Sequence, residues 1–378
     1  MYPHQAERLT EALERGGLDV LVASSPANVA YVTGFWSLFR AVYPATPSYA
    51  VVARTGTALV VPTIDLPAAE GAADHVLGFG RFVLERREGG QPPVPHADAG
   101  AAVVAALEAL GVRGGQIGLD DEQVPAAPAK ALADRLSAFK LTSASAALAA
   151  ARTVKSPYEI DCLQQALRIA EEGINTVLEL LRPGVTEREA AVAFEHAVAT
   201  KGATPYCTII AFGPGSAVPA PWPDNRALRM GDLVRFDLGC VVKGYHSDVA
   251  RMAVMGEPSA QQQETFDALH AGVETALAAV RPGAGGGDVF DAALAAVRAA
   301  GLAGFDRHHV GHGIGLEPAE APRLAPGGDA LEMGMVLRVE TPYYVLGEAG
   351  LNLKETVLVT RTGAHSLNRS HRGLLVLD

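Results

Sequence analysis

The strongest constraint on this chain is a plan that occurs twice, 99 residues apart. Over roughly 158–182, Ile160, Leu163, Leu167, Ala170, Ile174, Val177, Leu178 and Leu181 recur at helical spacing on one face. That helix stops at Arg182-Pro183-Gly184, and a second is expected from about Thr186. The order returns with Phe266, Leu269, Val273, Ala276, Leu277 and Val280, then Arg281-Pro282-Gly283 and another helix. Each unit runs on into a strand-rich stretch. Pro-Gly is a common helix stop, so two independent stops are one explanation. The other is an internal duplication, which places a site between two pseudo-symmetric halves.

Ahead of the repeat, the first ~145 residues alternate short apolar strands with helices, the pattern of a small α/β domain. Residues 17–26 read as a buried strand and a turn, and SYAVVART with ALVVPT as a hairpin-type pair around Gly56. A helix is expected over 97–112, a strand at QIGLDDE and a helix at AKALADRLSAF; Gly and Pro mark 88–98 as a loop. The formal charge of −11 argues against nucleic acid or an anionic membrane surface as partner. Cys162, Cys207 and Cys240 are an odd number without a CxxC pair, which disfavours a disulfide framework or a cysteine zinc site. The amphipathic, acid-bearing start is unlike a signal peptide, and no apolar run approaches the ~18 residues that span a bilayer. The expectation is a cytoplasmic protein.

Chemistry concentrates between 205 and 360. Asp237 and Asp248 lie eleven residues apart, on two runs that alternate like antiparallel strands and can bring both carboxylates to one face. His312 sits in the glycine-rich HHVGHGIGLEP, Glu340 ends the run GMVLRVE, and LNLKETVLVT is a further strand. Each has an ordinary structural explanation, a turn cap for an Asp or a packed ring for a His. Together, two Asp, one His and one Glu make a hard donor set suited to manganese, iron, cobalt or zinc.

This ordered set resembles the pita-bread metallopeptidase family, which includes methionine aminopeptidase, prolidase, aminopeptidase P and the metal-free creatinase. The likeness covers nearly the whole chain: GLDVLV…SPANVAYVTGF is similar to a creatinase-type N-terminal domain and VKSPYEIDCLQQA to the start of the catalytic one. DLG-(x)8-D, GHGIGLE and MV…VET follow in the family's order. The resemblance implies an α/β (α+β) fold, with a creatinase-type α/β domain over 1–148 and a pita-bread domain of duplicated helix-helix-strand halves over 149–378. It implies two metals on five donors, four of them matched by Asp237, Asp248, His312 and Glu340. Glu340 would also shuttle the proton; His308 matches a family histidine, and Tyr206 with residues 213–219 borders the substrate pocket.

Several positions depart from that pattern. The fifth donor, normally Glu, matches Lys354, while Glu355 should point away by strand alternation. Two expected pocket histidines match Ala220 and Ala319, and an Arg of many prolidases matches Asn352. Arg235 and Arg338 share strand faces with Asp237 and Glu340, where they either reach solvent, pair with a carboxylate or attract a substrate carboxylate. The expectation is a hydrolase of the Xaa-Pro type acting on a peptide or amide bond, impaired or divergent, with Glu340, His308 and Lys354 as catalytic residues. Tyr206, Arg338 and Arg235 are expected to bind substrate. Asp248, His312 and Glu340 would keep one divalent metal (manganese, cobalt or zinc), or none, with Lys354 in the place of the other. A non-catalytic pseudoenzyme that binds peptides or small acidic ligands is the alternative. By the same resemblance the protein is a homodimer.

Overall fold

The computed structural model describes residues 3–82, 95–122 and 126–378. The loop expected over 88–98 lies outside the described residues up to 94. The chain divides into two compact units, Met1–Arg152 and Thr153–Asp378.

Among the described residues of the first unit, six strands form one mixed sheet: β1 (Val20–Ala23), β2 (Tyr49–Ala53), β3 (Gly56–Pro62), β4 (His75–Phe79), β5 (Gln116–Leu119) and β6 (Lys140–Ser143). Their order is β4-β3-β2-β1-β5-β6, with β2 antiparallel to both β1 and β3 and the other pairs parallel. The β2–β3 hairpin turns at Gly56 (φ 150°), as the apolar runs on either side imply. Among the described residues, seven α-helices accompany the sheet: α1 (Pro3–Gly16), α2 (Pro26–Thr33), α3 (Leu38–Val42), α4 (Leu66–Ala69), α5 (Ala99–Ala109), α6 (Ala126–Arg135) and α7 (Ser145–Thr153). Val20, Val22, Val51 and Val60 pack with Val103, Ala106 and Leu107 of α5 to form the core. The domain boundary expected at 148/149 falls inside α7.

In the second unit, α8 (Pro157–Leu180) starts in a capping box of Ser156 and Glu159, and α9 (Glu187–Thr200) in one of Thr186 and Glu189. They are followed by β7 (Thr204–Phe212), β8 (Leu233–Val242), β9 (Tyr245–His246) and β10 (Val249–Met255). Then come α10 (Ala260–Ala279), α11 (Gly286–Ala299), β11 (Gly311–Gly313), β12 (Glu320–Arg323) and β13 (Val336–Glu340). The short pair β14 (Tyr343–Val345) and β15 (Ala349–Leu351) precedes β16 (Lys354–Thr360), β17 (Gly363–Ser366) and β18 (Leu375–Leu377). The main sheet runs β12-β11-β13-β16-β10-β8-β7, antiparallel along that path. The face opposite Arg338 and Glu340 packs against α10 and α11 through Leu337, Val339, Val357 and Val359.

The duplication shows in the backbone. Gly184 (φ 98°) donates to Leu228 O at 2.9 Å, and Gly283 (φ 82°) to Leu331 O at 2.8 Å. Isolated antiparallel bridges join Thr186 to Ala227 and Gly285 to Ala330. Gly231 bonds to Met255 O at 2.7 Å and Gly334 to Val359 O at 2.9 Å, so each half opens its strand pair in the same way. The offset is 99 residues at the turns (285 − 186) and 103 at the strands (334 − 231). Independent helix stops would not reproduce these paired bonds, so the duplication reading holds.

Candidate functional site

Four adjacent strands set the site. Asp237 on β8 lies opposite Ala250 of β10, Ala250 opposite Lys354 of β16, and Lys354 opposite Glu340 of β13. Directly opposed residues share a face, so this row aims Asp237, Lys354 and Glu340 to one side. Arg338 is two residues from Glu340 on the same face and opposes His312 of β11. Asp248 joins the row at the end of the β8–β10 hairpin. Gly239 is required there, because a Cβ would run into the Ser247 carbonyl and force the strands apart.

The two cations bind the acids directly. Lys354 Nζ donates to Asp237 Oδ1 and reaches Asp248 Oδ1 at 2.9 Å and Oδ2 at 3.2 Å. Arg338 Nη1 donates to Asp248 Oδ2, while Nη2 lies 2.6 Å from His312 Nε2 and 3.1 Å from Glu340 Oε1. Asn352 Nδ2 donates to Asp237 Oδ2 at 3.0 Å. Asp237, Asp248, His312, Glu340, Arg338 and Lys354 are all buried. Glu355 points to the opposite face, where Arg251 Nη2 donates to it at 3.1 Å.

Burial alone would raise the Glu340 carboxyl, but Arg338 and Lys354 outweigh it and hold the group at about 2. Burial depresses His312, with its bond to Gly313 and the charge of Glu340 opposing. The tautomer follows from the partners: Nδ1 lies 2.8 Å from a carbonyl, which only accepts, and the guanidinium only donates. The Nε2 lone pair therefore faces Arg338.

Two family models match, "Metallopeptidase family M24" over residues 161–361 and "Creatinase/Prolidase N-terminal domain" over 5–154. The chain belongs to metallopeptidase family M24. The probable dipeptidase PepE of Mycobacterium tuberculosis is 31% identical, covering 100% of this chain and 97% of that protein. The Xaa-Pro dipeptidase of Pyrococcus furiosus is 26% identical over 98% of this chain and 99% of that one. The structure of the Xaa-Pro dipeptidase from Bacillus anthracis aligns with a TM-score of 0.84 at 25% identity, covering 99% of each chain. The fold is thus the family's: a creatinase-like mixed-sheet domain followed by a curled pita-bread sheet.

M24 proteins typically bind divalent metals, but the residues present here do not fit one. Every donor that the resemblance assigns to metal accepts from Lys354 or Arg338. Among the described residues no group of three or more His, Cys, Asp or Glu side chains is arranged to hold a metal ion. Arg338, expected at the substrate, lies inside the donor set. Arg235 is fully buried and donates to Val218 O at 2.6 Å, Pro219 O at 3.1 Å and the Tyr344 hydroxyl at 3.2 Å, 3.6 Å from Asp237 Oδ2. It braces the loop at Val218 and Pro219.

His308 is exposed and packs edge-to-face on His309 at 4.4 Å between ring centroids. It is His309 whose Nδ1 lies 3.6 Å from Glu340 Oε1, and burial holds that imidazole at about 4, against the pull of Glu340. Tyr206 is half-buried, edge-on to His246 at 4.9 Å; burial raises its phenol, with Lys354 and Arg338 opposing. Sequence reasoning missed His309, His246 and Tyr344. The His308-His309 doublet and Tyr343-Tyr344 pair are visible in the sequence, but which member turns inward depends on the backbone around it.

Proposed function

We propose that this M24 chain is a divergent Xaa-Pro-type peptidase that has lost metal-dependent hydrolysis and keeps its pocket for binding a peptide or amide. The carrying observation is that Lys354 and Arg338 together hold Asp237, Asp248, His312 and Glu340. The group in the proton-shuttle position is also unsuited to that work: a carboxyl held at about 2 is a weak base near neutrality. Ala220 and Ala319 stand where two pocket imidazoles would orient a substrate carbonyl. One such polar group is worth ~100–1,000-fold in rate. The reading retains the cytoplasmic homodimer expected from the sequence, with residues 149–378 as the peptide-binding domain.

The test is hydrolysis of Ala-Pro and Gly-Pro with added manganese and with chelator, beside a thermal-shift titration with the same dipeptides. The expected outcome is a saturable shift without metal-dependent turnover. Hydrolysis at ordinary rates of ~10 per second, abolished by chelator, would overturn the proposal.

A further inference from the structure

The two cations do more than spoil a metal site; they take over its donors and bridge them through Asp248. The acceptors facing Arg338 are one imidazole nitrogen and two carboxylate oxygens, His312 Nε2, Asp248 Oδ2 and Glu340 Oε1. That is a one-His, two-carboxylate donor set gathered around a single positive group. Lys354 gathers only Asp237 and Asp248. Asp248 is shared between the two cations, so the arrangement is continuous. Formally, the three carboxylates are balanced by Lys354, Arg338 and the nearby Arg235. A divalent ion entering beside them would overshoot neutrality, and one displacing Arg338 would leave a buried guanidinium without its anions.

We infer that Arg338 and Lys354 are tethered replacements for divalent metal, so that the pocket is closed to metal as it stands and becomes a one-metal site when Arg338 alone is removed. The inference rests on the loss of metal-dependent hydrolysis proposed above and deepens it. It also assigns unequal roles to three cations. Removing Arg338 frees two donors outright, His312 Nε2 and Glu340 Oε1, and leaves the shared Asp248 with Lys354 alone. Removing Lys354 frees only Asp237, too few for firm binding, because Arg338 still holds Asp248, His312 and Glu340. Removing Arg235 frees backbone carbonyls and leaves Asp237 with Lys354 and Asn352. Arg338 is therefore the residue on which metal exclusion turns.

The experiment uses the full chain stripped with chelator, as parent, Arg338→Thr, Arg338→Gln, Arg338→Lys, Lys354→Met and Arg235→Met. Manganese and zinc binding are measured by calorimetry and by thermal unfolding. Arg338→Thr and Arg338→Gln should bind one ion per chain, and metal at ~100 times Kd should raise their Tm by roughly 5–10 °C. The parent, Arg338→Lys, Lys354→Met and Arg235→Met should show no comparable shift. If Arg338→Thr unfolds without metal, refolding in manganese but not in chelator supports the inference equally, and Arg338→Gln tests the same point with an amide in place of the charge. A parent that binds one ion with the same shift overturns the inference. So does a failure of both uncharged variants to gain binding or refolding. Metal binding by the parent without turnover sinks this inference alone, whereas a parent that gives no saturable thermal shift with the dipeptides sinks only the functional reading.

Discussion

Arg235-Phe236-Asp237 on β8 and Arg338-Val339-Glu340 on β13 occupy equivalent places in the two halves, 103 residues apart (338 − 235), and their arginines end up with different partners. Arg235 meets the carbonyls of Val218 and Pro219, neutral groups of the loop that covers it, and lies over the Tyr344 ring at 5.2 Å. Arg338 meets an imidazole and two carboxylates. The backbone repeats; the electrostatics do not. What differs is the neighbouring segment: the Ser216–Pro219 stretch offers acceptors to one arginine, and β11 offers His312 to the other. Duplication thus supplies two similar frames, and the segment packed beside each decides whether its arginine braces a loop or sits among the acids.

The widest separation between regions is across the thickness of the sheet. Behind Lys354, Arg251 is buried, donating to Lys354 O at 2.6 Å, Ala250 O at 3.0 Å, Glu355 Oε2 at 3.1 Å and Ser370 Oγ at 3.0 Å. These bonds tie β10, β16 and the C-terminal segment together, with no imidazole among them. Arg251→Met leaves Glu355 buried without its main counterion and should cost ~3–5 kcal/mol. Manganese should restore none of it. Urea unfolding with and without the ion checks this, and recovery of stability in manganese would mean the two faces are not independent.

Acid offers a smaller perturbation confined to the site face. Glu340 sits at about 2 against its ordinary 4.5, so the folded state favours its charged form. Its contribution is complete above 4.5 and is lost as pH falls through about 2. The difference corresponds to about 3 kcal/mol. Glu340→Gln should flatten the stability-against-pH curve across that window while leaving the curve above it parallel to the parent's. Equal acid slopes in parent and variant would show that Arg338 does not act on Glu340 as the geometry implies.

Much of this was legible in the sequence, for local reasons. Apolar periodicity and the two Pro-Gly stops placed α8 to α11, and the alternation of strand side chains correctly sent Lys354 and Glu355 to opposite faces. The site row could be anticipated because each member is carried by a short motif. Two things could not. Ser25 caps α2, with Pro26 at its first position and Gly34 at its end, yet the stretch reads as a turn after a strand because eight residues give little periodicity to detect. The partners of Arg338 were equally hidden. Its face follows from its spacing to Glu340, but a guanidinium on a long stem chooses among acceptors brought by β11 and the β8–β10 hairpin, and only the assembled sheet sets those distances.

The smallest expected effect concerns Asn352, which stands in the second half where Asp248 stands in the first, offset by 104 residues (352 − 248), the spacing that also separates Met255 from Val359. Asp248 is held by two cations and cannot be replaced cheaply. Asn352 has a divided account. Its Nδ2 donates to Asp237 Oδ2 at 3.0 Å, but its buried Oδ1 has no hydrogen-bond partner among the described residues. An unsatisfied buried acceptor costs about as much as one ordinary hydrogen bond contributes. Asn352→Leu removes both at once and adds apolar contact at a site that is 1% exposed. Asp237 keeps Lys354, so no buried charge is stranded. The net change should be within about 0.5–1 kcal/mol of zero by urea unfolding. A loss near that of Arg251→Met would mean that Asn352, not Lys354, is what holds Asp237 in the site.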